Sequence, residues 1–268
     1  MRIAFLGGGN MATALIGGLV SKGADARSIA VIEVSPAARE RLGARYPVHI
    51  ATAPDAALAR SDVLVIAVKP QDAKSALASV SVHRHLVISI AAGLTLDSLS
   101  RWLGGHRNLV RCMPNTPALI GAGIAGLYAL PEVSAEDRNK AETIMQAAGE
   151  AVWVPEERLL DAVTAVSGSG PAYVFWFIEQ LAASAEKLGL EKHTAMKLAL
   201  HTVLGSAKLA ASSSDSPATL RKNVTSKAGT TEAALNVFEQ EKIAERFMRA
   251  VEAAERRAAE LGKEQGKD

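Results

Sequence analysis

Ile3-Ala4-Phe5-Leu6-Gly7-Gly8-Gly9-Asn10-Met11-Ala12 decides the fold. Four apolar residues make a run suited to a buried parallel strand, and three glycines end it. Gly7 to Ala12 then fits G-x-G-x-x-A. In that pattern the first glycine allows a tight turn, and the second lets backbone approach a pyrophosphate. The small sixth residue lets the following helix pack close to the strand. The helix N-terminus adds amide donors and a positive dipole suited to phosphate. Gly7, Gly8, Gly9, Asn10, Met11 and Ala12 are therefore expected to bind a dinucleotide. The stretch Ile3 to Ser21 is uncharged, as a targeting or membrane segment would be, but the glycines interrupt it too early for either.

Working outward, further strands are expected at Ile29–Val34, Val48–Ala51, Val63–Val68, Leu86–Ile90, Leu109–Met113, Gly123–Ala129 and Val152–Val154. Helical stretches lie between several of them, at Pro36–Ala44, Gln71–Ser79 and Ala135–Ala148, with Ser35 as an N-cap and Pro36 in the first turn. Such alternation means an open, doubly wound, mostly parallel sheet. The pattern changes near Pro155. Beyond it only helices are expected: Leu159–Val166, Ala172–Leu188, Glu191–Ala211, a short Glu232–Phe238 and an amphipathic Ile243–Leu261. Ser212 to Ser216 reads as a loop closed by Pro217. The fold class is thus α/β, with a Rossmann-type dinucleotide-binding domain at 1–155 and an all-helical domain at 156–268.

Composition agrees. The chain has 268 residues, 49% hydrophobic, with a net charge of +2, which excludes disorder and gives no basic block for nucleic acid. The single cysteine, Cys112, excludes an internal disulfide, so a reducing cytoplasm is the expected location. Cys112 reads as a buried structural thiol. Ala162 to Ile178 is uncharged and includes Phe175, Trp176 and Phe177, yet Ser167-Gly168-Ser169-Gly170-Pro171 breaks it. A helix this apolar needs cover, and a partner subunit is the expected cover. No metal site is expected: the six histidines show no H-x-x-x-H spacing, and His83 and His85 read as surface residues.

Three segments carry chemistry besides the glycine turn. Glu33 ends the second strand about twenty residues after the turn, where a carboxylate accepts an adenosine ribose 2′-OH. Ser35 and Arg39 follow, and both can hold a 2′-phosphate; a capping Ser35 with a solvated Arg39 is the alternative. Ala67-Val68-Lys69-Pro70-Gln71 and Met113-Pro114-Asn115-Thr116-Pro117 each follow a strand, where ligands of open α/β sheets sit. Asn115 can donate to a ribose or carboxamide. Val224-Thr225-Ser226-Lys227-Ala228-Gly229-Thr230-Thr231 precedes a short helix and gathers hydroxyls and amides suited to a small carboxylate. Thr230 or Thr231 as an ordinary N-cap is the alternative.

With these segments in this order, the chain resembles the pyrroline-5-carboxylate reductases over essentially its full length. FLGGGNMA at Phe5–Ala12, AVKPQ at Ala67–Gln71, MPNTP at Met113–Pro117, SGSGPAY at Ser167–Tyr173 and Pro217–Glu239 all look like that family's motifs. The resemblance implies hydride transfer from NADPH, or NADH, to the C=N carbon of 1-pyrroline-5-carboxylate, giving L-proline. It also implies a helical C-terminal domain that binds substrate and forms a homodimer or higher homo-oligomer. By the same resemblance, Ser226 anchors the substrate carboxylate with the N–H groups of Ala228 and Gly229 nearby, and Thr231 bonds the ring nitrogen as the catalytic hydroxyl. Met113, Pro114 and Asn115 line the nicotinamide end, Ala67 and Lys69 the adjoining wall, and Ser35 lies near a 2′-phosphate. Many family members carry no acid where Glu33 stands, and some carry an Asn near the position of Pro54. Both departures weigh against a strict NADPH preference. The competing enzyme class, β-hydroxyacid dehydrogenases, needs a lysine in the helical half, for which Lys222 and Lys227 are available. A non-catalytic nucleotide sensor would have no reason to keep Ser226, Thr231 and MPNTP together.

Overall fold

The computed structural model describes residues 1–266. Its first part is built on β1 (Ile3–Leu6), α1 (Asn10–Ser21), β2 (Ile29–Ile32), α2 (Pro36–Gly43), β3 (His49–Ala51), α3 (Ala56–Ala59), β4 (Val63–Ile66), α4 (Pro70–Leu77) and β5 (Leu86–Ser89). It continues through α5 (Leu96–Trp102), β6 (Leu109–Met113), β7 (Gly123–Ala129), α6 (Ala135–Gln146), β8 (Gly149–Trp153) and α7 (Leu159–Val163). The strands form one sheet in the order β3-β2-β1-β4-β5-β6-β7-β8. Every neighbouring pair is parallel except β6 and β7.

Strands β1, β2, β4 and β5 are buried along their whole length, as strands covered on both faces must be. Helix α1 lays Ala12, Leu15, Ile16 and Leu19 into the core, and the small Ala12 permits the close approach. Strand order reverses between β1 and β4, so their carboxyl ends flank the switch-point crevice. There the Ala67 N–H donates to the Leu6 carbonyl at 2.8 Å, which sets the β4 exit beside the glycine turn.

The strands end earlier than the apolar runs suggest. β2 stops at Ile32 and β4 at Ile66, because the residues beyond turn out of the ladder; Val34 is 77% exposed. Helices α3, α5 and α10 (Pro217–Asn223) are one or two turns long, too short for a periodic signal. Their mark is the N-cap: Asp55, Thr95 and Ser216 each accept a first-turn N–H. Pro217 therefore opens a helix instead of closing a loop. His85, expected at the surface, is buried, with Nε2 3.1 Å from the Leu58 carbonyl.

The sequence places the division at Pro155. Strands do stop at Trp153, but the first compact unit runs from Met1 to Ser169 and takes the chain up again from Ala253. A buried cation ties the segment after Trp153 to the sheet. Arg111 on β6 is 5% exposed, and its guanidinium pairs with Glu157 at 3.2 Å and Asp161 at 3.3 Å. Glu157 also accepts the Leu96 N–H at 2.8 Å. A buried guanidinium must keep its partners, so α7 is tied to the sheet. Near the C-terminus, Arg101 donates to the Gly266 carbonyl at 3.0 Å.

The second unit, Gly170 to Glu252, is helical: α8 (Gly170–Lys187), α9 (Lys192–Ser212), α10, α11 (Thr230–Gln240) and the start of α12 (Ile243–Gln265). Helices α8 and α9 pack along one another, and Tyr173 meets Phe247 edge to face at 5.9 Å. Within the single chain this unit leaves large apolar side chains in the open; Phe175 and Trp176 are each 60% exposed. Among the described residues, no helix is long and apolar enough to cross a membrane.

Candidate active site

The glycine turn meets the requirements its pattern sets. Gly7 has φ +101°, and an added Cβ there would sit 2.8 Å from the Ala67 carbonyl oxygen, so turn geometry and close packing both demand glycine. Gly9 differs. It occupies the N-cap of α1 in extended backbone, and a Cβ there would meet nothing within 4 Å. The chain itself does not require glycine at this position, whereas a ligand lying on the backbone does. No side chain caps α1, and its first turn holds no acid. The N–H groups of Asn10, Met11 and Ala12 thus keep their donor capacity for an anion. These residues fit a dinucleotide pyrophosphate.

Glu33 is held in place by backbone. Its Oε2 accepts the Gly8 N–H and its Oε1 accepts the Ser35 N–H, both at 2.7 Å. Ser35 is the N-cap of α2, with Oγ accepting from the Ala38 N–H at 3.4 Å. Arg39, expected to be solvated or on a phosphate, instead donates to the backbone carbonyls of Val34 at 2.9 Å and Glu33 at 3.2 Å. One carboxylate and one guanidinium therefore shape the same turn.

Lys69 is the exposed N-cap of α4, and Ala67 is half-buried beside Gly7. Met113 ends β6 and Pro114 follows it, and the buried Asn115 side chain is committed: Oδ1 accepts the Ile124 N–H at 2.9 Å and Nδ2 donates to the Ser167 carbonyl at 3.1 Å. Asn115 acts first as a clamp between this loop and the segment Ser167–Ser169. Met113 joins the clamp, since its Cε lies 2.8 Å from a Cβ position at Gly168. That segment carries a feature the sequence did not announce: α7 widens into a π-turn over Thr164–Gly168, with the Ser169 N–H reaching the Thr164 carbonyl at 2.8 Å. Such turns gather at functional sites. Beside them Cys112 is 1% exposed, and burial pushes its thiol up, so it is no nucleophile.

In the second unit the N-cap of α11 is Gly229, not a threonine, which leaves Thr230 and Thr231 in the first turn. The hydroxyls of Ser226 and Thr231 make no hydrogen bond within the chain among the described residues. The two N–H groups expected beside Ser226 are engaged inside the turn itself: Gly229 donates to the Ser226 carbonyl at 3.0 Å, and Ala228 donates to Glu232 Oε2 at 2.7 Å. No side chain caps α11, so the free donors lie one step on, at Thr230 and Thr231. Lys222 and Lys227 are both exposed. Among the described residues no cluster of His, Cys, Asp and Glu could hold a metal ion.

The chain is similar to known proteins along its length. Residues 157–261 match the family described as pyrroline-5-carboxylate reductase dimerisation, and residues 2–93 match that described as NADP oxidoreductase, coenzyme F420-dependent. A pyrroline-5-carboxylate reductase of Pseudomonas aeruginosa is 44% identical over 268 residues, covering 99% of this chain and 98% of its own. The structure of a pyrroline-5-carboxylate reductase from Coxiella burnetii superposes with a TM-score of 0.92 at 41% identity, covering 97% of this chain and 98% of its own. A Plasmodium falciparum pyrroline carboxylate reductase with NADP bound superposes with a TM-score of 0.85 at 29% identity, covering 98% of both. With identity at this level sustained from end to end, the chain belongs to the pyrroline-5-carboxylate reductase family.

Proposed function

We propose that this protein reduces 1-pyrroline-5-carboxylate to L-proline with NADPH, NADH being the alternative donor. The observation that carries the reading is the similarity to reductases of that name along the whole chain. The nicotinamide cofactor supplies a hydride, which forms the new C–H bond at the imine carbon, and the ring nitrogen ends with a proton from solvent.

The residues present suit that task. The glycine turn and the uncapped start of α1 receive the pyrophosphate, with Ala67 and Lys69 at the neighbouring strand end. The Asn115 clamp fixes the Met113–Pro114 loop, so a nicotinamide placed against it is oriented by rigid backbone. The substrate carboxylate is taken by the Ser226 hydroxyl together with the first-turn amides of α11. Ala228 and Gly229 shape that turn, and the Thr231 hydroxyl bonds the ring nitrogen and orients it for protonation. A protonated cyclic imine is electrophilic at carbon, so alignment and charge placement suffice and no strong acid is required.

The chain works as a homodimer or higher homo-oligomer through the apolar faces of its second unit, in the cytoplasm. The dimerisation match and the exposure of Phe175 and Trp176 support the former. The deciding assay follows NADPH oxidation with pyrroline-5-carboxylate against a panel of β-hydroxy acids tested in the oxidative direction. Turnover of a hydroxy acid, with none of the imine, would overturn the reading.

A further inference from the structure

We propose that Glu232 is a positioning residue for the substrate anchor, acting by holding Ala228 in a left-handed conformation. This rests on the reading that Ser226 and the start of α11 take the carboxylate. Ala228 has φ +58°, a region in which its Cβ crowds the backbone and which glycine enters freely. Something must hold an alanine there, and the structure supplies it. The Ala228 N–H donates to Glu232 Oε2 at 2.7 Å, a short bond to a charged acceptor.

The arrangement resembles a capping box, in which a third-position Glu reaches back to the N-cap N–H. Here it is displaced by one residue. The N-cap is Gly229, whose own N–H is taken by the Ser226 carbonyl at 3.0 Å. The carboxylate therefore lands on the one residue in the turn that carries the strain. The consequence reaches Ser226. Its Oγ lies 2.7 Å from a Cβ position at Gly229, so the same turn presses the hydroxyl against the start of α11. If Ala228 relaxes to negative φ, the hydroxyl and the amides of Thr230 and Thr231 no longer converge on one carboxylate.

The test is a double-mutant cycle read as KM for pyrroline-5-carboxylate at saturating NADPH, with the KM for NADPH as control. E232A raises the substrate KM about five- to tenfold, the range for a lost cap, while the NADPH KM stays put. E232Q, whose amide oxygen accepts the same bond, restores most of the loss. In the A228G background, where glycine needs no help to reach φ +58°, removing Glu232 costs less than about twofold. If E232A alone does not fold, the comparison between A228G and A228G/E232A carries the test. An unchanged KM in E232A, or a penalty as large in the A228G background, overturns the proposal. S226A separates this from the reading beneath it. An S226A defect with an unaffected E232A removes the role of Glu232 alone, and an unaffected S226A removes the anchor and the proposal together.

Discussion

Glu33 closes on Gly8: its carboxylate accepts the Gly8 N–H at 2.7 Å, linking the end of β2 to the glycine turn that follows β1. The second oxygen takes the Ser35 N–H, a donor that a 2′-phosphate at this corner would otherwise use. A fixed negative charge opposes a dianion and accepts readily from a ribose hydroxyl. Replacing Glu33 by Gln keeps one acceptor and removes the charge. The ratio of kcat/KM for NADPH over NADH should then rise by about tenfold, corresponding to roughly 1.4 kcal/mol. Steady-state kinetics with both cofactors checks this, and an unchanged ratio would reduce Glu33 to a clasp for the turn.

The two outer glycines of the turn should fail in different ways. At Gly7 a methyl group meets the Ala67 carbonyl in a left-handed backbone, so Gly7→Ala should lose about 1–3 kcal/mol of stability. At Gly9 a methyl group enters open space, so Gly9→Ala should melt within about a degree or two of the parent, given the small effect of substitutions free of packing. Its NADPH affinity should nevertheless fall about tenfold or more, because backbone can no longer lie on the pyrophosphate. Thermal melts paired with a fluorescence titration separate the two. Equal melting losses would show that Gly9 serves the fold.

Thr231→Ala removes a hydroxyl that makes no hydrogen bond within the chain among the described residues, so the melting temperature should change little. Turnover should drop by about ten- to a hundredfold, as expected when a group bonding the reacting nitrogen is lost. NADPH binding should be preserved. Unaltered steady-state kinetics would take Thr231 out of the mechanism.

The parts of this protein legible from sequence are those coded by neighbours in the chain. The run Ile3–Leu6 followed by Gly7 and Gly9 is a strand, a turn and an open N-cap because each property depends on a few adjacent residues. Ser35 as a cap before Pro36 is of the same kind. What escaped is set by partners far away. Arg111 gives no hint on β6 that it will pair with acids 46 and 50 residues later, and that pairing holds the start of the helical region to the sheet. Asn115 follows a strand end, where a ligand donor is expected, and the distant Ile124 N–H and Ser167 carbonyl that engage its amide leave no mark in the neighbouring residues. The engagement of Ala228 by Glu232 is local, and a Glu at the third helical position was its available signal.

Phe175 and Trp176 stand side by side on α8, each 60% exposed, with Phe177 at 46%. Adjacent helical residues point about a hundred degrees apart, so three such neighbours open in a row leave a wide sector of α8 uncovered. Burying an aromatic side chain of this size contributes about 1.5–3 kcal/mol, which a lone chain forgoes at each of these positions. A second copy covering them recovers it on both subunits at once, as a symmetric interface does. Trp176→Glu puts a charge into that surface and should convert the oligomer to monomer at micromolar concentration, measured by sedimentation velocity. Because the tryptophan is open within the chain, the helical content of the monomer should survive, and circular dichroism provides that control. An assembly of unchanged size in Trp176→Glu would place the contact on another face of the helical unit.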